Sequence, residues 1–236
     1  MFSCNDAFHS ELTIIDNGYS NYTIVIPAVA TEIEKKAAYK LQHYLREMSG
    51  TKLAVIPEDR PWQSHAIYVG SCNSAKKLNI DFPALEEDGF SVRTQGQDLF
   101  ICGGKRKGAL FGVYDFLEQV GCRKYSPDVE FIPKKKLLRI PQYNITEIPV
   151  FHYRETLMPD ASDPDYAEWH KLHHRSEREK DWGMWVHTFD DLIPPEKYFN
   201  EHPEYFSLNN GVRSSKTQLC LSNPNVLDLV ILHLKE

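Results

Sequence analysis

Long apolar runs are missing from this sequence of 236 residues. The densest, Leu227 to Leu234, spans eight residues and contains Asp228 and His233, well short of the roughly 18–20 that a membrane helix needs. Excess positive charge is missing too: 27 Lys and Arg stand against 33 Asp and Glu, a formal net charge of −6. The short basic runs, Lys105-Arg106-Lys107 and Lys134-Lys135-Lys136, are too small for the counterion release that drives nucleic-acid binding, so no nucleic-acid partner is expected. Cysteine is scarce and widely spaced. Cys4, Cys72, Cys102, Cys122 and Cys220 form no CxxC, and their odd number argues against a disulfide framework or a zinc knot. There is no HExxH and no GxSxG, so zinc-protease and serine-hydrolase chemistry lack their motifs.

What is present is the composition of a folded protein, with 42% hydrophobic and 25% charged residues, which excludes wholesale disorder. The first 140 or so residues alternate strand and helix patterns. Leu12–Ile15 and Tyr22–Ile26 are β-rich runs separated by the turn-forming Asn17-Gly18. Thr31-x-x-Glu34 is a capping box, followed by Ile33, Ala37, Leu41, Leu45 and Met48 at helical spacing and by Gly50 as a stop. Strands are expected at Leu53–Ile56 and Ala66–Gly70, and a hairpin joins Gly89–Thr94 to Leu99–Cys102 across Gln95–Asp98. A second helix runs from about Lys107 to Val120, capped by Gly121.

Prolines from Pro141 to Pro149 bracket a polar linker. Beyond it, Phe151–Phe206 holds 11 aromatics and 6 histidines in 56 residues, a density that suits a ligand-facing surface or an aromatic core. The pattern predicts strands at Val150–Tyr153 and Met184–Val186, the latter ending at His187, and a helix over Tyr166–Glu179. Another helix starts at Pro195, extended segments follow at Tyr205–Leu208 and Gln218–Leu221, and Asn223-Pro224 opens a last helix. The fold class is therefore α/β. An α+β accessory domain with a mixed sheet and packed helices (10–146) precedes the first two or three β/α units of an incomplete (β/α)8 barrel (147–236).

Gly103-Gly104-Lys105-Arg106-Lys107-Gly108 has the spacing of a phosphate loop but continues with Ala109-Leu110, where Lys and Ser/Thr would be needed. These glycines are expected instead to let a helix pack closely on a strand. His170, His173 and His174 have metal-ligand spacing, yet Lys171, Arg175 and Arg178 would repel a cation, so a solvated helix face is expected and no metal or cofactor. Glu155, Asp190 and Asp191 stand where barrel strands would end, as glycosidic carboxylates do; solvated acids or helix caps are the alternative. Phe2-Ser3-Cys4-Asn5 is similar to the tail of a bacterial lipoprotein signal without its charged and apolar regions. Cys4 is then either a lipid anchor in an extracytoplasmic protein, periplasmic or cell-surface, or a chance cysteine at a frayed end.

A resemblance joins these pieces. Asp88-Gly89-Phe90-Ser91-Val92, Leu99-Phe100-Ile101-Cys102-Gly103-Gly104 and Lys107-Gly108-Ala109-Leu110-Phe111-Gly112-Val113-Tyr114 resemble the domain that precedes the barrel in α-glucuronidases of glycoside hydrolase family 67. Related glucuronidase-like proteins of bacterial polysaccharide degraders carry it as well. The likeness continues through Gly121–Pro127, Glu130–Pro133, Pro149–Glu155, His202–Leu208 and Gln218–Pro224. It departs at Lys124, where an aromatic, usually Trp, is expected.

The resemblance implies a glycoside hydrolase acting on a polysaccharide-derived glycan, with a uronate-bearing one as a candidate. Arg154, at the matching position on the first barrel strand, would hold sugar hydroxyls, with His187 and Trp185 lining the same pocket. The family's catalytic carboxylates come from later barrel strands, so no residue here inherits that role. Residues 149–236 number 88 against the roughly 250 of a β/α barrel, so the chain is expected to be a fragment, inactive alone. The alternative is a non-catalytic carbohydrate-binding or scaffold module.

Overall fold

The computed structural model describes residues 11–62, 65–177, 183–184 and 187–235. Cys4, Trp182 and Trp185 lie outside the described residues, as do residues 185–186 of the expected second barrel strand. The chain forms two compact units, one ending at Arg175 and the other beginning at Ser176.

The first unit is built on a six-stranded mixed sheet. Its strands are β2 (Tyr22–Ile26), β3 (Val55–Pro57), β4 (His65–Val69), β5 (Phe90–Gln95), β6 (Asp98–Gly103) and β10 (Asn144–Glu147), in the order β10-β5-β6-β4-β2-β3. β6, β4, β2 and β3 run parallel, with Ile24 opposite Ile67 and Ile67 opposite Leu99. β5 turns back from β6 through Gly96, whose φ of 60° suits the first central position of a two-residue hairpin. β1 (Leu12–Asp16) pairs separately with β9 (Leu137–Ile140), and β7 (Arg123–Lys124) with β8 (Glu130–Phe131).

Alternate residues of the parallel strands enter two cores. Ile24, Ile67, Val69, Leu99 and Ile101 face α1 (Glu32–Ser49) and α2 (Gly108–Gln119); Val25, Ala66, Tyr68, Phe100 and Cys102 face loops carrying Trp62, Leu78 and Phe82. Burial on both faces is why these strands read as continuous apolar runs. At the start of α1 the Thr31 side chain accepts from the Glu34 N–H, and Glu34 reaches back to the Thr31 N–H at 2.8 Å. Gly50 ends the helix at φ 82°.

The first unit does not stop at the proline-rich segment. α3 (Pro164–Trp169) returns to it, placing Trp169 in the main core at 1% exposure with its indole N–H donating to Glu118 Oε1 at 3.0 Å. Lys36–Glu168 at 2.6 Å and Lys40–Asp165 at 2.8 Å tie α3 to α1.

Two expectations need correction. Among the described residues, the α-helix expected over Tyr166–Glu179 is Pro164–Trp169 with a separate 3-10 turn at Arg175–Glu177, because Lys171 turns left-handed at φ 58° and breaks the hydrogen-bond ladder. Val150–Tyr153 forms no strand: Val150 and Phe151 are 89% and 72% exposed, and an extended segment without a neighbouring ladder has nothing to pair its backbone. Among the described residues beyond 147 no parallel strand pair forms, so the β/α units of a barrel are not seen.

The second unit packs Leu192, Ile193, Tyr205, Phe206, Leu219 and Val226 together. Its elements are the short helices α4 (Phe189–Leu192) and α5 (Pro195–Tyr198), a two-residue hairpin β11 (Leu208–Asn209) with β12 (Val212–Arg213), and α6 (Pro224–His233). The Asn223 side chain caps α6 by accepting from the Asn225 N–H, with Pro224 at the first turn as expected. Among the described residues no helix is long and apolar enough to cross a membrane.

Candidate functional site

Arg154 lies on the segment that leaves β10, and the structure commits most of its guanidinium to the first unit. Nε donates to the Lys171 carbonyl at 2.9 Å, Nη1 to the Phe151 carbonyl at 2.7 Å and Nη2 to Asp88 Oδ2 at 3.1 Å. The guanidinium carbon stands 5.7 Å from the centroid of the Phe111 ring. Three of the five N–H donors of an arginine are therefore used, and one on each Nη has no partner among the described residues.

His173 closes the arrangement. Its ring Nδ1 accepts from the Arg154 N–H at 3.0 Å, while its own N–H donates to the Arg154 carbonyl at 2.6 Å. The other ring nitrogen, Nε2, faces Asp88 Oδ2 at 2.7 Å and the Arg106 Nη2 as well. Arg106 brings a second guanidinium, its Nε 3.5 Å from Asp88 Oδ1. Burial alone would raise the pKa of Asp88, but the His173 hydrogen bond and the charges of Arg106 and Arg154 outweigh it and hold the carboxyl below the usual range. Asp88 and His173 are only 3% and 1% exposed. The histidines of this segment are therefore not all on a solvated helix face: His173 is interior, because the chain turns at Lys171 to bring it back against Arg154.

Beside Arg154 opens a cavity of 480 Å³ walled by Phe90, Phe111, Ile148 and Leu172, with Lys171 at its edge. Lys171 Nζ pairs with Asp115 Oδ1 at 3.2 Å and lies 5.8 Å from the Phe90 ring centroid. The result is a mostly apolar recess with cationic groups converging on it, the general pattern of a small-molecule pocket.

The other sequence candidates are placed as follows. Glu155 accepts a hydrogen bond from the Tyr153 hydroxyl. It belongs to the first unit, and Asp190 and Asp191 to the second. There they lie in the first turn of α4 and line an open depression of 560 Å³ with Glu196 and Phe199. His187 is exposed at φ 62°. Among the described residues no group of three or more His, Cys, Asp and Glu is placed to hold a metal. The glycine-rich loop after β6 has its amides occupied: the N–H groups of Gly104, Lys105 and Arg106 donate to the carbonyls of Gly89, Glu86 and Glu87 at 2.8, 3.1 and 2.8 Å. With these three amides taken and a Cβ on Gly103 standing 1.8 Å from the Ala109 nitrogen, its glycines serve close packing of α2 on β6. Sequence reasoning missed Asp88, Lys171 and His173 as partners of Arg154, and Arg106 as a second guanidinium on Asp88.

Comparison with known proteins divides the chain in two. Residues 16–116 match the N-terminus of glycosyl hydrolase family 67, and residues 124–236 match a domain of unknown function, DUF4838. A "probable alpha-glucuronidase A" of Aspergillus terreus (strain NIH 2624 / FGSC A1156) is 31% identical over 93 residues, covering 38% of this chain and 11% of that protein. Alpha-glucuronidase A of Aspergillus tubingensis is 38% identical over 51 residues, covering 22% of this chain and 6% of its own length. The chain thus spans about a tenth or less of these curated relatives. Among solved structures, a family GH115 4-O-methyl-α-glucuronidase overlaps 61% of this chain and 19% of its own, with a TM-score of 0.45 at 15% identity. Residues 16–116 are therefore similar to a family 67 α-glucuronidase N-terminal region, and the relatives that share it are glycoside hydrolases.

Proposed function

We propose that the chain is the N-terminal part of a glycoside hydrolase of the α-glucuronidase kind, acting on a polysaccharide-derived, uronate-bearing glycan. The observation that carries this reading is the match of residues 16–116 to the family 67 N-terminus, together with the α-glucuronidase relatives. In the whole protein, one carboxylic acid would protonate the glycosidic oxygen while a second carboxylate activates water or attacks the sugar. Those two acids lie in the part of such a protein that this chain does not span, and Glu155, Asp190 and Asp191 are not assigned the role.

Residues from 147 onward are, in this reading, the opening of a (β/α)8 barrel whose later strands would supply the pairing that Val150–Tyr153 lacks. The exposed Ile148, Val150, Phe151 and Leu157 support it, since a barrel strand buries such side chains. Arg154 would offer its two uncommitted N–H groups to vicinal sugar hydroxyls from a position held by Asp88. An extracytoplasmic place with a lipid on Cys4 belongs to the same proposal.

The test is the reading frame extended beyond Glu236, assayed on uronate-bearing and hexosamine-bearing oligosaccharides beside the 236-residue chain. Release of free glucuronate by the extended protein alone is the expected result. An extended protein inert on every substrate would favour the non-catalytic module instead, and an Arg154→Ala version that binds and cleaves normally would remove Arg154 from the site.

A further inference from the structure

The sequence contains two Asn-Gly pairs, Asn17-Gly18 and Asn210-Gly211, and the structure places each at the tip of a two-residue hairpin loop. In both pairs the asparagine and the glycine are left-handed, with φ of 49° and 87° in the first and 50° and 79° in the second. That is the type I′ turn, for which asparagine followed by glycine is the favoured sequence. All four residues are exposed, and a Cβ on either glycine would meet no atom within 4 Å. Such a pair has a chemistry of its own. The glycine nitrogen, with no Cβ beside it, can reach the asparagine carboxamide carbon and close a cyclic imide.

The surroundings of the two pairs differ. Asn17 Nδ2 donates to Asp16 Oδ1 at 2.8 Å, which tethers the group that must leave. The Asp16 carboxylate also opposes loss of the Gly18 N–H proton, because it disfavours a second negative charge nearby. Asp16 and Tyr19 exchange both backbone hydrogen bonds at 2.9 Å around this loop, and β1 behind it is paired with β9. Asn210 has none of these restraints. Its side chain has no hydrogen-bond partner among the described residues, and the charged residue nearest to it in sequence is a cation, Arg213. The β11–β12 hairpin holds only two residue pairs, Leu208 with Arg213 and Asn209 with Val212. A ribbon that short is marginal by itself and opens readily, which frees the turn dihedrals for the attack.

We infer that Asn210 is a site of spontaneous deamidation and converts ahead of Asn17. The Gly211 nitrogen forms a bond to Asn210 Cγ, the Cγ–Nδ2 bond breaks, and ammonia leaves with the proton that the Gly211 nitrogen gives up. Water then opens the imide. Opening at Cγ gives aspartate, and opening at the main-chain carbonyl gives isoaspartate, with one more carbon in the backbone. Aspartate tolerates the left-handed turn and keeps the hairpin. Isoaspartate lengthens the loop, takes Leu208 and Arg213 out of register, and draws the Arg213 guanidinium from the Phe206 carbonyl to which it donates. The test is incubation of the 236-residue chain in buffer at pH 8, with digestion and mass mapping of both peptides over time and methyltransferase labelling of isoaspartate. Asn210 converts about two- to tenfold faster than Asn17, the worth of the one hydrogen bond that the Asn17 amide must give up. Asp16→Ala speeds Asn17 and narrows the gap. In concentrated urea, where neither hairpin is folded, the ratio falls toward unity. Conversion of Asn17 as fast as that of Asn210 in the folded chain, a ratio unchanged in urea, or no isoaspartate at position 210 would overturn the proposal.

Discussion

Replacing Asp88 by Asn removes a buried charge while nearly preserving its shape. In the wild type this carboxylate is 3% exposed and faces His173 at 2.7 Å, Arg154 at 3.1 Å and Arg106 at 3.5 Å. Asp88→Asn leaves two guanidiniums without their counter-charge and turns an amide donor toward groups that are themselves donors. Breaking a buried pair from one side costs about 3–5 kcal/mol. The Arg154 and Arg106 side chains retain 17% and 25% exposure, so water relieves part of this and the lower end, about 3 kcal/mol, applies. For a unit of this size that lowers the melting midpoint by about 6–12 °C, read by circular dichroism. The pH dependence supplies an independent sign. Because the folded pKa of Asp88 lies below its unfolded value, its stabilisation is fully present above about pH 4 and is lost as pH falls through the folded value. The gap between wild type and variant should hold from pH 7 to about pH 5 and close below about pH 4. A midpoint lowered by less than about 2 °C at pH 7, or a gap that widens on acidification, would refute the charge assignment.

Two further outcomes follow from packing and burial. Gly103→Ala places a methyl 1.8 Å from the Ala109 backbone nitrogen and 2.1 Å from the Gly108 carbonyl carbon, so α2 must shift off β6 at a cost of about 3 kcal/mol or more. Gly96→Ala meets open space and bears only the left-handed backbone penalty of about 1–2 kcal/mol; equal urea midpoints for the two variants would defeat this contrast. Burial pushes the Cys102 thiol up to about 12 and Cys122 up to about 11, whereas a hydrogen bond with Ser222, with Arg213 behind it, holds Cys220 below its ordinary value. In a Cys4→Ser background at pH 8, a thiol reagent should therefore label Cys220 quickly and Cys72, Cys102 and Cys122 only after denaturation; early labelling of Cys102 would contradict the burial.

The first unit was legible because its signals are local. The Thr31/Glu34 box, the left-handed Gly50 and Gly121, and the Gln95–Asp98 turn each state a boundary within a few residues, and the structure forms them where the sequence puts them. The strands were legible for a second reason: with a core on each face, every residue of β2 is buried, and an unbroken apolar run needs no period to be noticed. The same reasoning failed beyond residue 150, where boundaries are decided by distant partners. A helical pattern over Tyr166–Glu179 is present in the sequence, but Trp169 is drawn into the core between Tyr44 and Tyr114, and the chain reverses at Lys171 so that His173 can meet Arg154.

The site shows the limit most clearly. Asp88 is separated from Arg154 by 66 positions and from His173 by 85, and no spacing rule links an Asp-Gly-Phe turn to a histidine in a stretch of basic residues. Reading Arg154 by resemblance made it a sugar-holding residue, whereas its contacts make it first a strut between segments. The two roles draw on one property. A guanidinium is a planar fork of five donors, so three can be spent on carbonyl and carboxylate partners while two keep a fixed direction toward a ligand. A lysine at 154, with a single nitrogen on a flexible stem, would have to choose between them. The buried carboxylate of Asp88 is therefore part of any ligand-binding function of Arg154, because it fixes the plane from which the remaining donors point.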